Sequence, residues 1–196
     1  MGSEQAIVAG SEAEPYRHLL TVSDFVTLHE AGAFEGLGRV ELIDGEIFVM
    51  APLYFPHGRV QADLTIDVGN AVRLLRPTLQ LVNQVSAALD PHSLPEADIM
   101  VVDAEGFDGD LINADMVRLV IEVSASSLRH DLGPKLRLYA RSSVPEYWVA
   151  DVSAKQIIRL HAPFGEEYLQ RATFAFGEPV PSATIAGLVV DTGRLA

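Results

Sequence analysis

The sequence predicts an α/β protein, and three stretches predict it. Residues 117–123, V-R-L-V-I-E-V, form an apolar, β-branched run that fits a buried strand. Residues 57–76 carry Val60, Leu64, Val68, Ala71, Val72 and Leu75 along one helical face, with Arg59, Asp63, Asp67 and Arg73 facing out. Residues 39–50, R-V-E-L-I-D-G-E-I-F-V-M, read as a hairpin about Asp44-Gly45, a strong two-residue turn signal.

The composition narrows the possibilities. A chain of 196 residues with 48% hydrophobic residues can bury one sizeable core. No apolar run approaches the roughly 18–20 residues that a membrane span requires. The first residues, M-G-S-E-Q-A-I-V-A-G-S-E-A-E, carry acids and no basic region, so they do not read as a secretory signal. There is no cysteine, which removes disulfides, thiolate catalysis and cysteine-based zinc sites and fits a cytoplasmic location. Lys and Arg number 14 against 27 Asp and Glu, a net charge of −13, which is the wrong sign for an extended nucleic-acid footprint. Bound metal and site acids can still alter the local field.

Taken in order, residues 1–20 read as a flexible N-terminal arm and 21–196 as a single domain. Thr21 or Ser23 caps a first helix, with Phe25, Leu28 and His29 as its inner face and Gly32 or Gly36 as its end. The 39–50 hairpin is expected to join the central sheet, and the 57–76 helix to pack on it. Residues 79–89 suggest a strand with a bulge. Asp98 opens the apolar run 99–102, and the polar stretch 103–115 reads as a surface connection. A helix is expected to begin at Asp131, with Pro134 and Lys135 in its first turn. Residues 146–152 form another strand, with Trp148 in the core. Residues 157–160 and 168–172 form an antiparallel pair, and a short strand near 188–190 closes the chain.

The chemistry concentrates in two of these strands. A carboxylate in a buried strand is costly unless something pairs with it. Asp98 and Glu122 both sit in apolar runs, and neighbouring strands at matching heights bring them to one point. Lys135 follows Glu122 by one loop and can fold back over the strand end. Two carboxylates and a lysine are what metal-dependent phosphodiester cleavage needs: acids to hold Mg²⁺ through oxygen, and a lysine to position water or offset developing charge. The bland alternatives are an ion pair of Glu122 with Arg118 or Arg129, a strand-capping Asp98 and a solvated Lys135. Tyr139, one helical turn on, suits either packing or a hydrogen bond. His57 either faces the site or caps its helix. His18, His29, His92, His130 and His161 lack metal-ligand spacing.

E-L-I-D-G-E-I, a helix opening at His57, A-D-I-M-V-V, V-I-E-V-S-A-S-S and D-L-G-P-K-L-R-L-Y-A-R-S-S-V-P-E-Y-W-V-A-D occur in that order. Together they resemble the Uma-two family of restriction-endonuclease-like proteins over roughly residues 20–175. The resemblance implies the fold of the PD-(D/E)xK nuclease superfamily, a mixed central sheet flanked by helices. It implies Mg²⁺ or Mn²⁺ as cofactor, and phosphodiester hydrolysis in nucleic acid, DNA before RNA. It assigns metal binding to Asp98 and Glu122 and catalysis to these with Lys135. Glu46 is the expected additional acid and Glu41 the weaker alternative. Two departures stand out: the proline of "PD" is replaced by Ala97, and Ser124 occupies the usual lysine position, so the lysine has moved to 135.

A homodimer is expected on the same grounds. The competing expectation is a catalytically silent binding or regulatory module that keeps the fold. The distribution of Arg17, Arg59, Arg73, Arg76, Arg129 and Arg137 separates the two: on one face they favour nucleic-acid binding, and scattered they favour the silent module.

Overall fold

The computed structural model describes residues 17–75 and 77–196. The arm expected over 1–20 therefore lies mostly outside the described residues, as does Arg76. Helix α1 (Val22–Glu30) opens with a capping box: Thr21 Oγ1 accepts the Asp24 N–H at 3.1 Å while the Asp24 carboxylate accepts the Thr21 N–H at 2.9 Å. Strands β1 (Val40–Ile43) and β2 (Glu46–Val49) pair antiparallel across Asp44-Gly45, with φ of 54° and 73° as a two-residue turn requires. Gly45 is also needed for space, because an added Cβ would lie 2.6 Å from that of Leu19.

The central sheet is mixed and has seven strands. They are β3 (Leu79–Ala88), β4 (Glu96–Asp103), β5 (Ile112–Asn113), β6 (Val117–Ser124), β7 (Glu146–Asp151), β8 (Gln156–Phe164) and β9 (Glu167–Ala175), in the order β5-β3-β4-β6-β7-β8-β9. Neighbours run antiparallel except β3–β5 and β6–β7. The parallel β6–β7 step needs a crossover, and helical residues 128–141 supply it. Helix α2 (Phe55–Arg73) covers one face, where Val60, Leu64, Val68 and Val72 meet Ile99, Leu119, Ile121 and Trp148. The crossover covers the other face, where Leu138 and Tyr139 meet Met100, Val120, Tyr147 and Val149. With both faces covered, β6 and β7 read as continuous apolar runs.

Two expectations need correction. The 39–50 hairpin does not join the central sheet. It forms its own two-stranded sheet, because β1 runs against the loop leading into β4, touching it through the single bridge Leu42–Leu94, and does not lie along a strand edge. The crossover helix begins before Asp131: α3 (Leu128–His130) leads into a π-helical turn (Asp131–Lys135) and then α4 (Leu136–Arg141). Pro134 has no N–H to donate, and the Leu136 N–H reaches back to the Asp131 carbonyl, so the turn widens around the proline. Lys135 thus sits in mid-run and escapes the unfavourable dipole of a helix start.

The V-P-E-Y-W segment is a structural anchor. Glu146 is fully buried, and its carboxylate accepts Trp148 Nε1–H at 2.7 Å, Ser182 Oγ–H at 2.6 Å, the Thr184 N–H at 3.0 Å and Thr184 Oγ1–H at 2.8 Å. This ties β7 to the connection between the short strands β10 (Val180–Pro181) and β11 (Val189–Val190), which pair with each other. Glu146→Ala leaves several donors unmatched and is expected to cost about 3 kcal/mol, lowering Tm by roughly 6–12 °C, with Glu146→Gln losing less. Thermal and urea denaturation of both variants check this; equal loss from Ala and Gln would contradict it.

Candidate active site

Strand β4 changes character at Asp98. Asn83 pairs with Ile99 and Val85 with Ala97, but the intervening Gln84, at φ 51°, makes no ladder pair with Asp98. On the other side the β4–β6 ladder stops at Ile99–Ile121. The side-chain alternation slips here too, since Ala97 packs on the crossover side and Ile99 on the α2 side. The freed backbone turns to side chains: the Asp98 carbonyl accepts Gln61 Nε2–H at 3.1 Å, and the Asp98 N–H lies 3.4 Å from Glu122 Oε2.

The strand splay brings the site together. Asp98 Oδ2 accepts the Val123 N–H at 2.8 Å, and Oδ1 lies 3.4 Å from both Arg39 Nη1 and His57 Nε2. Glu122 Oε1 accepts Lys135 Nζ–H at 2.9 Å and Tyr139 Oη–H at 2.7 Å. Lys135 also donates to Glu41 Oε1 at 3.2 Å and the Glu96 carbonyl at 3.0 Å, which uses all three ammonium hydrogens. Glu41, Asp98, Glu122 and Lys135 are each at most 3% exposed. A cavity of about 150 Å³ opens onto Asp98, Glu122 and Lys135, walled by residues 50–54 and the serine loop 125–127. That loop is clasped by Asp131, whose Oδ2 accepts Ser124 Oγ–H at 2.5 Å and Ser127 Oγ–H at 2.6 Å.

Three of the four expected site residues, Asp98, Glu122 and Lys135, therefore meet. Glu46 does not: it sits on the outer strand of the hairpin, exposed, and pairs with Arg17. Glu41, on the inner strand, occupies the place expected of Glu46. Arg118 pairs with Asp103 and not with Glu122. Sequence reasoning gave little weight to His57, which is buried at the start of α2 with Nε2 lacking a hydrogen-bond partner among the described residues. The available signal was a histidine directly after Pro56, on the inward face of the helix it opens.

Electrostatics follow from burial and crowding. Burial, helped by Asp98, Asp131 and Glu41, pushes Glu122 up to about 8 despite Lys135. Burial likewise raises Glu41 against the pull of Lys135. At Asp98 burial works upward, but His57, the Val123 N–H and Lys135 outweigh it and hold the group below the usual aspartate range. Burial alone would lower Lys135, yet Glu122 and Glu41 hold it above the ordinary lysine value. The cluster thus keeps Lys135 cationic and leaves one of its two acid partners holding a proton near neutral pH.

Among the described residues, no three His, Cys, Asp or Glu side chains are gathered into a ready cage for a metal ion. The donor chemistry nevertheless suits a hard divalent cation. Asp98, Glu122, Glu41 and Glu96 outnumber the fixed cations Arg39 and Lys135, and the buried His57 Nε2 lacks a hydrogen bond. Mg²⁺ commonly binds through one or two carboxylates and retains several waters.

No curated protein matches the chain. Among solved structures, it is similar to a crystal structure from Anabaena variabilis described as "a putative nuclease belonging to DUF820", with a TM-score of 0.68 at 15% identity over 90% of this chain and 97% of that one. At that identity the likeness concerns the fold, a mixed sheet flanked by helices. Residues 22–193 match the family described as "Putative restriction endonuclease". The chain accordingly belongs to the Uma2 family, and its own mixed sheet flanked by helices carries the buried acid–lysine cluster described above.

Proposed function

We propose that the protein is a Mg²⁺- or Mn²⁺-dependent endonuclease that hydrolyses phosphodiester bonds in nucleic acid, DNA first. The observation that carries this is the Lys135–Glu122 contact of 2.9 Å, with Asp98 alongside, at the floor of an open cavity. Asp98 and Glu122 would hold the cation. When bound, it supplies phosphate polarisation and acidification of a bound water. Lys135 steadies Glu122 and lends positive charge to a phosphate developing negative charge in the cavity. Tyr139 fixes the Glu122 rotamer from below. Glu41 takes the supporting part expected of Glu46, by balancing Lys135. A cytoplasmic location, a single domain over 21–196 and a homodimer belong to the same proposal; light scattering is expected to give a mass near twice the 21.2 kDa of the chain.

One observation favours the silent-module reading. Arg59 and Arg73 lie on α2, while Arg137 is on α4, across the sheet. Arg17 and Arg59 are paired with Glu46 and Asp63. Among the described residues, Arg59 and Arg73 on one side of the sheet and Arg137 on the other therefore do not share one face.

Cleavage of mixed nucleic acids with Mn²⁺ or Mg²⁺ separates the two readings. Asp98→Asn and Glu122→Gln are expected to lower the rate by about 10²-fold or more while remaining folded. Wild type as inert as these variants, at several salt concentrations, would favour the silent module. Lys135→Met should lose turnover too, but removing one partner of a buried pair also costs about 3–5 kcal/mol, so its melting curve must be read beside its activity.

Calorimetry gives a second readout. Glu122 titrates near 8, so near neutral pH it holds a proton that a cation must displace. Mg²⁺ or Mn²⁺ affinity should rise with pH toward about 8 and then level. Titrations in buffers of different ionisation enthalpy should show release of about one proton per ion near neutrality, vanishing above that point. For the metal-free protein the sign is also fixed. Because folding raises the pKa of Glu122, its contribution is fully present below the ordinary carboxylate range and is lost as pH rises through about 8. A pH-independent affinity would contradict the first statement, and a metal-free stability that does not fall as pH rises through about 8 would contradict the second.

A further inference from the structure

Residues 51–54, A-P-L-Y, line the cavity together with the serine loop, and Phe55 and Pro56 follow them directly as the first residues of α2. Tyr54 lines the cavity and is 70% exposed, and Phe55 beside it is 82% exposed. Neither ring stacks on another aromatic among the described residues. Exposing two large neighbouring aromatics at the mouth of a polar pocket leaves apolar surface in water, which marks a contact surface more often than chance. Pro52 precedes Tyr54 in this segment and Pro56 sits in the first turn of α2, while Tyr54 is extended at φ −103° and ψ 165° as the residue capping the helix. Three positions after Tyr54 is His57, whose ring faces Asp98.

The charge pattern says what such a surface would suit. The net charge is −13, and six of the twelve arginines, Arg17, Arg39, Arg59, Arg118, Arg141 and Arg194, are already paired with the protein's own acids. A duplex held by many phosphate contacts needs free cations along its path. A single strand needs fewer, because stacking of its bases on aromatic rings supplies sequence-tolerant affinity.

We propose that Tyr54 and Phe55 form a stacking shelf for unpaired nucleobases at the mouth of the candidate active-site cavity, so that the substrate is single-stranded or locally unpaired nucleic acid. This rests on the nuclease reading for the identity of the ligand. A base on Tyr54 sets the adjoining phosphate over Asp98 and Glu122. In a fully paired helix the same base is stacked between its neighbours and unavailable to the ring.

The test uses the full-length protein with single-stranded DNA, single-stranded RNA and the corresponding DNA duplex, followed by fluorescence anisotropy in EDTA and by cleavage in Mn²⁺. Single strands of either sugar are expected to bind at least tenfold more tightly than the duplex. Stacking contributes about 5- to 100-fold per base, so the double variant Tyr54→Ala/Phe55→Ala should lose tenfold or more of that affinity, with an unchanged melting temperature because both rings are exposed. Phe55→Trp should retain binding, and its emission should be quenched by single strands and not by the duplex. Duplex bound as tightly as single strands, no binding of single strands, or a double-alanine variant that binds like wild type would each overturn the shelf. The outcomes separate this proposal from the hydrolytic one. Preferential binding without cleavage of any substrate keeps the shelf and removes the nuclease; cleavage abolished by Asp98→Asn but without strand preference does the reverse.

Discussion

The buried Lys135 ammonium is the constraint on which the site geometry depends. It joins four parts of the chain through its bonds to Glu41 on β1, the Glu96 carbonyl on β4, Glu122 on β6 and its own place in the crossover helix. A cation with 1% exposure is tolerable only when its donors are all matched, and here they are. The consequence reaches the hairpin. Among the described residues β1 and β2 share one ladder bridge with the rest, so much of what seats the hairpin is the Glu41–Lys135 pair together with the small apolar cluster of Phe25, Leu42 and Leu94.

The same cluster is overloaded with negative charge. One lysine faces two carboxylates, and Asp98 stands behind them with Arg39 at 3.4 Å. A purely structural ion pair would not need a second acid on Lys135, since it adds burial cost without a cation of its own. Protonation is the ready relief, which is why burial leaves Glu41 and Glu122 raised. An acid that burial holds protonated near neutral pH can exchange that proton for a divalent cation. This gives the cluster a chemical reading and not merely a packing one.

Much of this was legible in the sequence, for reasons that explain what was not. Asp98 and Glu122 stood out because acids inside apolar runs demand partners. Lys135 stood out because it follows one loop after such a strand. The choice between Glu41 and Glu46 was not legible. Both lie in one short hairpin with the same alternation, and which strand faces inward depends on long-range contacts: Leu42 with Leu94, and Glu41 with Lys135. The separate status of the hairpin was hidden for the same reason, since strand propensity does not say which edge a strand meets. The early start of the crossover helix was masked by Pro134, whose usual place in a first turn hid a π-helical turn that accommodates it in mid-run. His57 was visible as a helix-opening residue, but its approach to Asp98 depends on how α2 lies across the sheet.

The acidity of the chain also reads differently once the ion pairs are known. A net charge of −13 first suggests a protein that repels nucleic acid. Yet half of the arginines are engaged in local pairs, such as Arg141 with Asp44 and Asp90, or Arg194 with Asp67. Exposed pairs of this kind contribute little to stability, and their fields cancel at short range. What a ligand meets at the cavity is therefore the local set of Asp98, Glu122, Arg39 and Lys135, flanked by aromatic and small polar side chains. The surplus acids still carry the net charge of −13, so the long-range field repels an anionic ligand and does not steer it in. Affinity for such a ligand must come from contacts made at the cavity itself.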